Sequence, residues 1–192
     1  MSLSKTRATP TQSRESHPML HRFLRDGRGA AAVEFAFVAP LMILLYYGIA
    51  ELTQGMMADR RTSHVASIIG DLVAQDTQVT QTEMTDVFNV GKAVVAPFPT
   101  GALSMRVTSV KADSGGTPKV VWSKTSGSMT VLAGTVSGVP TGLIAANESV
   151  IMAEATYIYT SPIGKVMTTP ITFTQKYYLK PRKGSEVLWS TS

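Results

Sequence analysis

One stretch limits what this chain can become: "GRGAAAVEFAFVAPLMILLYYGIAEL". Between residues 30 and 50 it carries a single charge, Glu34, and a single proline, Pro40. About 20 apolar residues are what a helix needs to cross the hydrocarbon core of a bilayer. An acid at that depth costs about 2.5–3.5 kcal/mol on insertion scales, and such groups generally have a partner. The segment therefore predicts a membrane helix with one unexplained carboxylate. It divides the chain into a leader over 1–29, a transmembrane or assembly helix over 30–50, and an exported head over 51–192.

Charge supports that division. The net charge of +5 is concentrated at the start: six basic residues stand against two acidic ones before Ala30, and twelve against eleven after it. Arg22, Arg25 and Arg28 flank the apolar run and orient it, holding the N-terminus in the cytoplasm and sending the head outward. Arg60 and Arg61, beyond the run, reduce the asymmetry. No Lys/Arg stripe with interleaved aromatics follows, so nucleic acid is not an expected partner. The absence of cysteine removes disulfides, thiolate metal sites and cysteine nucleophiles. The run has two simple readings: an uncleaved signal anchor, and a signal peptide cut after Ala50 at a small-x-small site. Neither accounts for Glu34.

The leader is rich in Ser, Thr, Arg and Pro and reads as disordered or weakly helical. His17 and His21 are spaced i, i+4 but have no third ligand in view, and His64 sits in a polar patch. Beyond the span the helix continues to about Ala74, with Leu52, Met56, Val65, Ile68, Ile69, Leu72 and Val73 on one face. Asp59, Arg60 and Arg61 lie on a solvated turn. Pro40 predicts a bend or a locally opened hydrogen-bond ladder, and Gly48, Gly55 and Gly70 weaken the helix further. A second helix begins at Thr80, with Glu83 at capping-box spacing. Its packing face is Met84, Val87, Phe88, Gly91, Val94 and Val95, and Pro97 and Pro99 end it.

The remainder reads as strands. "ALSMRVTSVKAD" alternates Leu103, Met105 and Val107 against Ser104, Arg106 and Thr108. A turn over 114–118 and the run "KVVWSKT" complete a hairpin. Residues 125–147 read as a long loop, "ESVIMAEATYIYT" as a third strand and "PITFTQKYYLKPR" as a fourth. In the fourth, Ile171, Phe173, Tyr177 and Leu179 face inward, and Thr172, Thr174, Lys176 and Lys180 outward. The expected class is α+β: a long N-terminal helix, transmembrane in its first half, packed with a second helix on one side of an antiparallel sheet of about four strands.

No catalytic constellation emerges. The sequence lacks a phosphate loop, a dinucleotide fingerprint and H-E-x-x-H. Glu148 and Glu154 share a face by parity but stand roughly 20 Å apart on an extended chain. No enzyme activity, cofactor, metal or small-molecule substrate is expected.

"GRGAAAVEFAFVAP" resembles the processing and assembly segment of type IV pilin-like proteins, and is most similar to TadE/TadG-like minor pilins (pseudopilins) of tight-adherence, or Flp, pilus systems. The resemblance implies cleavage by a membrane-embedded prepilin peptidase between Gly29 and Ala30, which places Glu34 fifth in the mature chain. Cleavage at Gly27 would place it seventh. It also implies that Glu34 pairs with the new amine of a neighbouring subunit, setting axial register more than adding stability. Implied partners are the membrane, the peptidase, other pilin and minor-pilin subunits and the inner-membrane assembly platform. "SVIMAEATYIYTSPIG" and the closing "LKPR" are similar to the C-terminal half of such chains. The head is larger than a major Flp pilin, which implies an accessory subunit that assembles, initiates or anchors the pilus from the inner membrane. Alternatives are a signal-anchored periplasmic binding module that needs neither Gly29 nor Glu34, and a pseudopilin of a secretion machine.

Overall fold

A computed structural model describes residues 27–191. Leader residues 1–26, with His17, His21, Arg22 and Arg25, lie outside the described residues, as does the side chain of Arg28. Helix α1 runs over Gly27–Ala74 without interruption, Pro40 included. Strand β1 (Gln78–Val79) and helix α2 (Gln81–Val94) follow, and a short 3-10 turn (Thr100–Ala102) leads into the sheet. The strands are β2 (Leu103–Ala112), β3 (Pro118–Ser126), β4 (Ser149–Tyr159), β5 (Ile171–Leu179) and β6 (Leu188–Trp189).

The chain forms two compact units, 1–45 and 46–192. In the first, the described residues are the opening turns of α1. Their large apolar side chains are not covered by the chain itself, Phe37 being 78% exposed. An apolar helix left uncovered by its own protein has to be covered by lipid or by other helices.

The second unit is built on an antiparallel sheet ordered β3-β2-β4-β5. The inner face carries Leu103, Met105 and Val107 from β2 and Ile151, Ala153, Ala155, Tyr157 and Tyr159 from β4. These pack with Val65, Ile69 and Val73 of α1 and Met84 and Phe88 of α2. The capping box forms as spaced: Thr80 Oγ1 accepts from the Glu83 N–H, and the Thr80 N–H donates to the Glu83 carboxylate at 2.8 Å. The end of α1 is also satisfied, since the Arg182 N–H donates to the carbonyl of Ala74 at 2.8 Å while its guanidinium pairs with Asp71.

Several expectations are revised. Leu52 and Met56 do not join the packing face but are exposed. Glu51, Gly55, Ala58 and Thr62 take the buried positions in those turns. Tyr177 faces α1 as its parity predicts, its hydroxyl 2.7 Å from Ser63 Oγ, but it is left partly exposed. The sheet is covered on both faces, not one. The segment after β3 folds over the outer face, where Val136 joins Val110, Val150 and Met152 in a second apolar cluster, flanked by Leu132 and Ile144. Strands β1 and β6, absent from the sequence reading, pair in parallel and bring the chain's end against the start of α2. Gly70 is less a weak point than a place of close approach: a Cβ there would stand 2.8 Å from that of Ala153.

Candidate functional site

The N-terminal motif lies on the opening turns of α1. Gly29 and Ala30 are exposed, and beyond the helix's own backbone no described residue comes within 4 Å of where a Gly29 Cβ would stand. Glu34 is exposed and, among the described residues, has no hydrogen-bond or ion-pair partner. Val33, Phe35, Phe37 and Val38 surround it in sequence, all exposed. Pro40 falls inside the same uncovered stretch. The helix carries a window of mean hydropathy 1.9 that the protein itself does not bury, and it is a candidate membrane span. Arg28 falls on the first turn. Chemically, the segment presents an accessible Gly–Ala bond, an apolar surface and one carboxylate able to accept from a cation supplied by another chain.

A second carboxylate, which the sequence reading passed over except as a possible cleavage boundary, is the most enclosed acid of the head. Glu51 is fully buried one residue past the apolar segment. Its two oxygens accept from three successive backbone N–H groups of the β4–β5 loop: Lys165 at 2.7 Å, Val166 at 3.1 Å, and Met167. Burial raises its pKa. The N–H groups of Met167, Lys165 and Val166 and the Ser161 hydroxyl outweigh that and hold it below the ordinary value. The loop is shaped for this role. Ser161 Oγ accepts from the N–H groups of Ile163 and Gly164, and Gly164 takes φ +60°, a left-handed conformation open to glycine at little cost. The nearest signal in the sequence is the "SPIG" turn, but nothing in it says that an acid 114 residues away will occupy the turn.

Glu148 and Glu154 do not act together. Glu148 pairs with Lys180 at 2.9 Å. Glu154, nearly buried, sits in one register row between Arg106 of β2 and Lys176 of β5, with contacts of 2.6 Å and 2.9 Å. Arg106 also donates to the carbonyl of Thr130, tying the covering loop to this row. Among the described residues no group of three His, Cys, Asp or Glu side chains gathers as metal ligands would. His64 is exposed on α1.

Comparison with curated proteins and with solved structures gave no match. Residues 29–69 match the family model described as TadE-like protein. The match begins at the glycine of the N-terminal motif and takes in Glu34, Pro40 and Glu51. It ends before the sheet, so the likeness noted for "SVIMAEATYIYTSPIG" lies outside it. Over this segment the chain is similar to TadE-like proteins.

Proposed function

We propose that the protein is an accessory pilin subunit, cut by a prepilin peptidase between Gly29 and Ala30 and then drawn from the inner membrane into contact with other pilin subunits. The observation that carries this reading is the uncovered helix with a carboxylate five residues past Gly29. Apolar side chains exchange lipid for a helix bundle at little free-energy cost, so packing and polar pairing decide where the helix goes. A new amine on Ala30 supplies the cation that Glu34 lacks among the described residues. The Gly29–Ala30 bond lies in the first turn of α1, where intrahelical N–H partners are missing and opening the chain for a protease costs least.

The leader faces the cytoplasm and the head faces outward, following the basic flank. The head has no catalytic role and binds other subunits and the assembly platform. A cut after Ala50 is disfavoured, because that bond lies inside an uninterrupted helix beside a carboxylate already saturated by backbone donors. Mass spectrometry of the mature N-terminus in cells carrying the peptidase is the direct test. A chain starting at Ala30 is expected, with uncut precursor accumulating in Gly29→Phe. A start at Glu51, or an intact leader beside an active peptidase, overturns the proposal.

A further inference from the structure

We infer that the β4–β5 loop, 161–168, is a lipid-contacting foot that seats the head in the phospholipid headgroup layer. This rests on residues 30–50 spanning the bilayer. Gly48 is the third residue from the outer end of that segment, and a Cβ built there would stand 3.8 Å from Cγ2 of Val166. The loop therefore touches the helix at a level that the span places at the hydrocarbon boundary. Glu51, the first charge on the outer side, turns to the loop and is buried by it. The backbone donors that would otherwise need water at this depth are thereby satisfied, and the acid is hidden from lipid phosphates.

The outward surface of the loop matches the interface. Val166 is 48% exposed, as is Ile158 near the end of β4, and Lys165, next to Val166 in the chain, is exposed. No acidic residue occurs between 155 and 185, so no neighbour in sequence competes with a phosphate for the ammonium. An aliphatic group beside a lysine that reaches up to headgroups is an arrangement that membrane interfaces favour. Tyr46 and Tyr47, on the preceding turn, supply the aromatic belt.

The chain has no cysteine, so single introduced thiols report cleanly. Leu41→Cys, Val166→Cys and Lys183→Cys are each labelled with an environment-sensitive fluorophore. The full chain is then reconstituted in vesicles of phosphatidylethanolamine and phosphatidylglycerol carrying nitroxide lipids. Lys183 pairs with Asp76, just past the far end of α1, about 40 Å along the helix from Gly48, and serves as the aqueous reference. Headgroup nitroxide is expected to quench the 166 label several-fold more than the 183 label, and Lys165→Glu is expected to reduce that quenching. Quenching at 166 no greater than at 183, while deep nitroxide quenches 41, overturns the foot and leaves the span intact. A label at 41 that deep nitroxide does not quench overturns the span and the foot with it.

Discussion

Glu51 shows how one side chain can hold a loop. Three backbone donors converge on a carboxylate that bulk water does not reach. Glu51→Gln replaces two acceptor oxygens by one, and its amide donors then face N–H groups. The expected result is a lower Tm and new proteolytic cleavage within 161–169, read by limited digestion; an unchanged digestion pattern would refute the latch. The pH dependence has a definite sign. Glu51, Glu83 and Glu148 all have pKa values lowered by the fold from an ordinary 4.5. For Glu83 the Thr80 N–H and hydroxyl are responsible, and for Glu148 the Lys180 ammonium and the Ala145 N–H. A carboxylate with a depressed folded pKa contributes stability that is complete above its unfolded value and is lost as pH falls below it. Thermal scans should therefore be level near neutrality and fall below about pH 4.5. Tyr159 points the other way. Its hydroxyl is buried without a partner among the described residues, and an unsatisfied buried hydroxyl costs about 1–3 kcal/mol. Tyr159→Phe is expected to leave Tm unchanged or raise it, and a clear fall would reveal a partner for the hydroxyl.

Between elements, two close fits decide how the sheet sits on the helices and in what register. Gly70 lets α1 approach β4 and β5, with a hypothetical Cβ 2.6 Å from Cδ1 of Leu179 and 2.8 Å from the Cβ of Ala153. Gly70→Val overfills that contact and is expected to cost about 1–3 kcal/mol in chemical denaturation. The Arg106–Glu154–Lys176 row spans three strands at one register position, and a one-residue slip of any of these strands would carry its ion to the helix-packed face. Glu154→Gln strands Arg106, whose side chain is only 15% exposed, and is expected to cost on the order of 3 kcal/mol. Pairing Arg106→Met with Glu154→Leu should recover much of that loss, because an apolar pair of similar volume needs no counter-ion. Equal losses in the single and double variants would mean that the row contributes shape alone.

For the whole molecule, the proposed assembly rests on the uncovered helix. Glu34→Ala removes the one charge in an apolar stretch, so membrane insertion should be retained or improved. If pairing with a neighbour's amine sets register, the variant is processed but fails to join pilin subunits in crosslinking and pull-down experiments. Normal incorporation of Glu34→Ala would refute the pairing. Much of this was legible in the sequence. The apolar run, the acid at the fifth place after Gly29, the capping box at Thr80 and Glu83, and the alternation along β2 and β5 each depend on residues close together in the chain. What was not legible depends on distant residues meeting. Leu52 and Met56 have the spacing of a packing face, yet Glu51 and Gly55 lie inward because the β4–β5 loop and Tyr159 approach there. The loop after β3 is dominated by small and polar residues, and only its docking shows that the outer sheet face carries a second apolar cluster. The sequence by itself determined the apolar candidate span, the two helices and the four strands of the main sheet, since periodicity and capping are local. Tertiary structure alone decided which acid is sequestered, which faces are covered and where the head meets the helix, because burial is a property of contacts made across the chain.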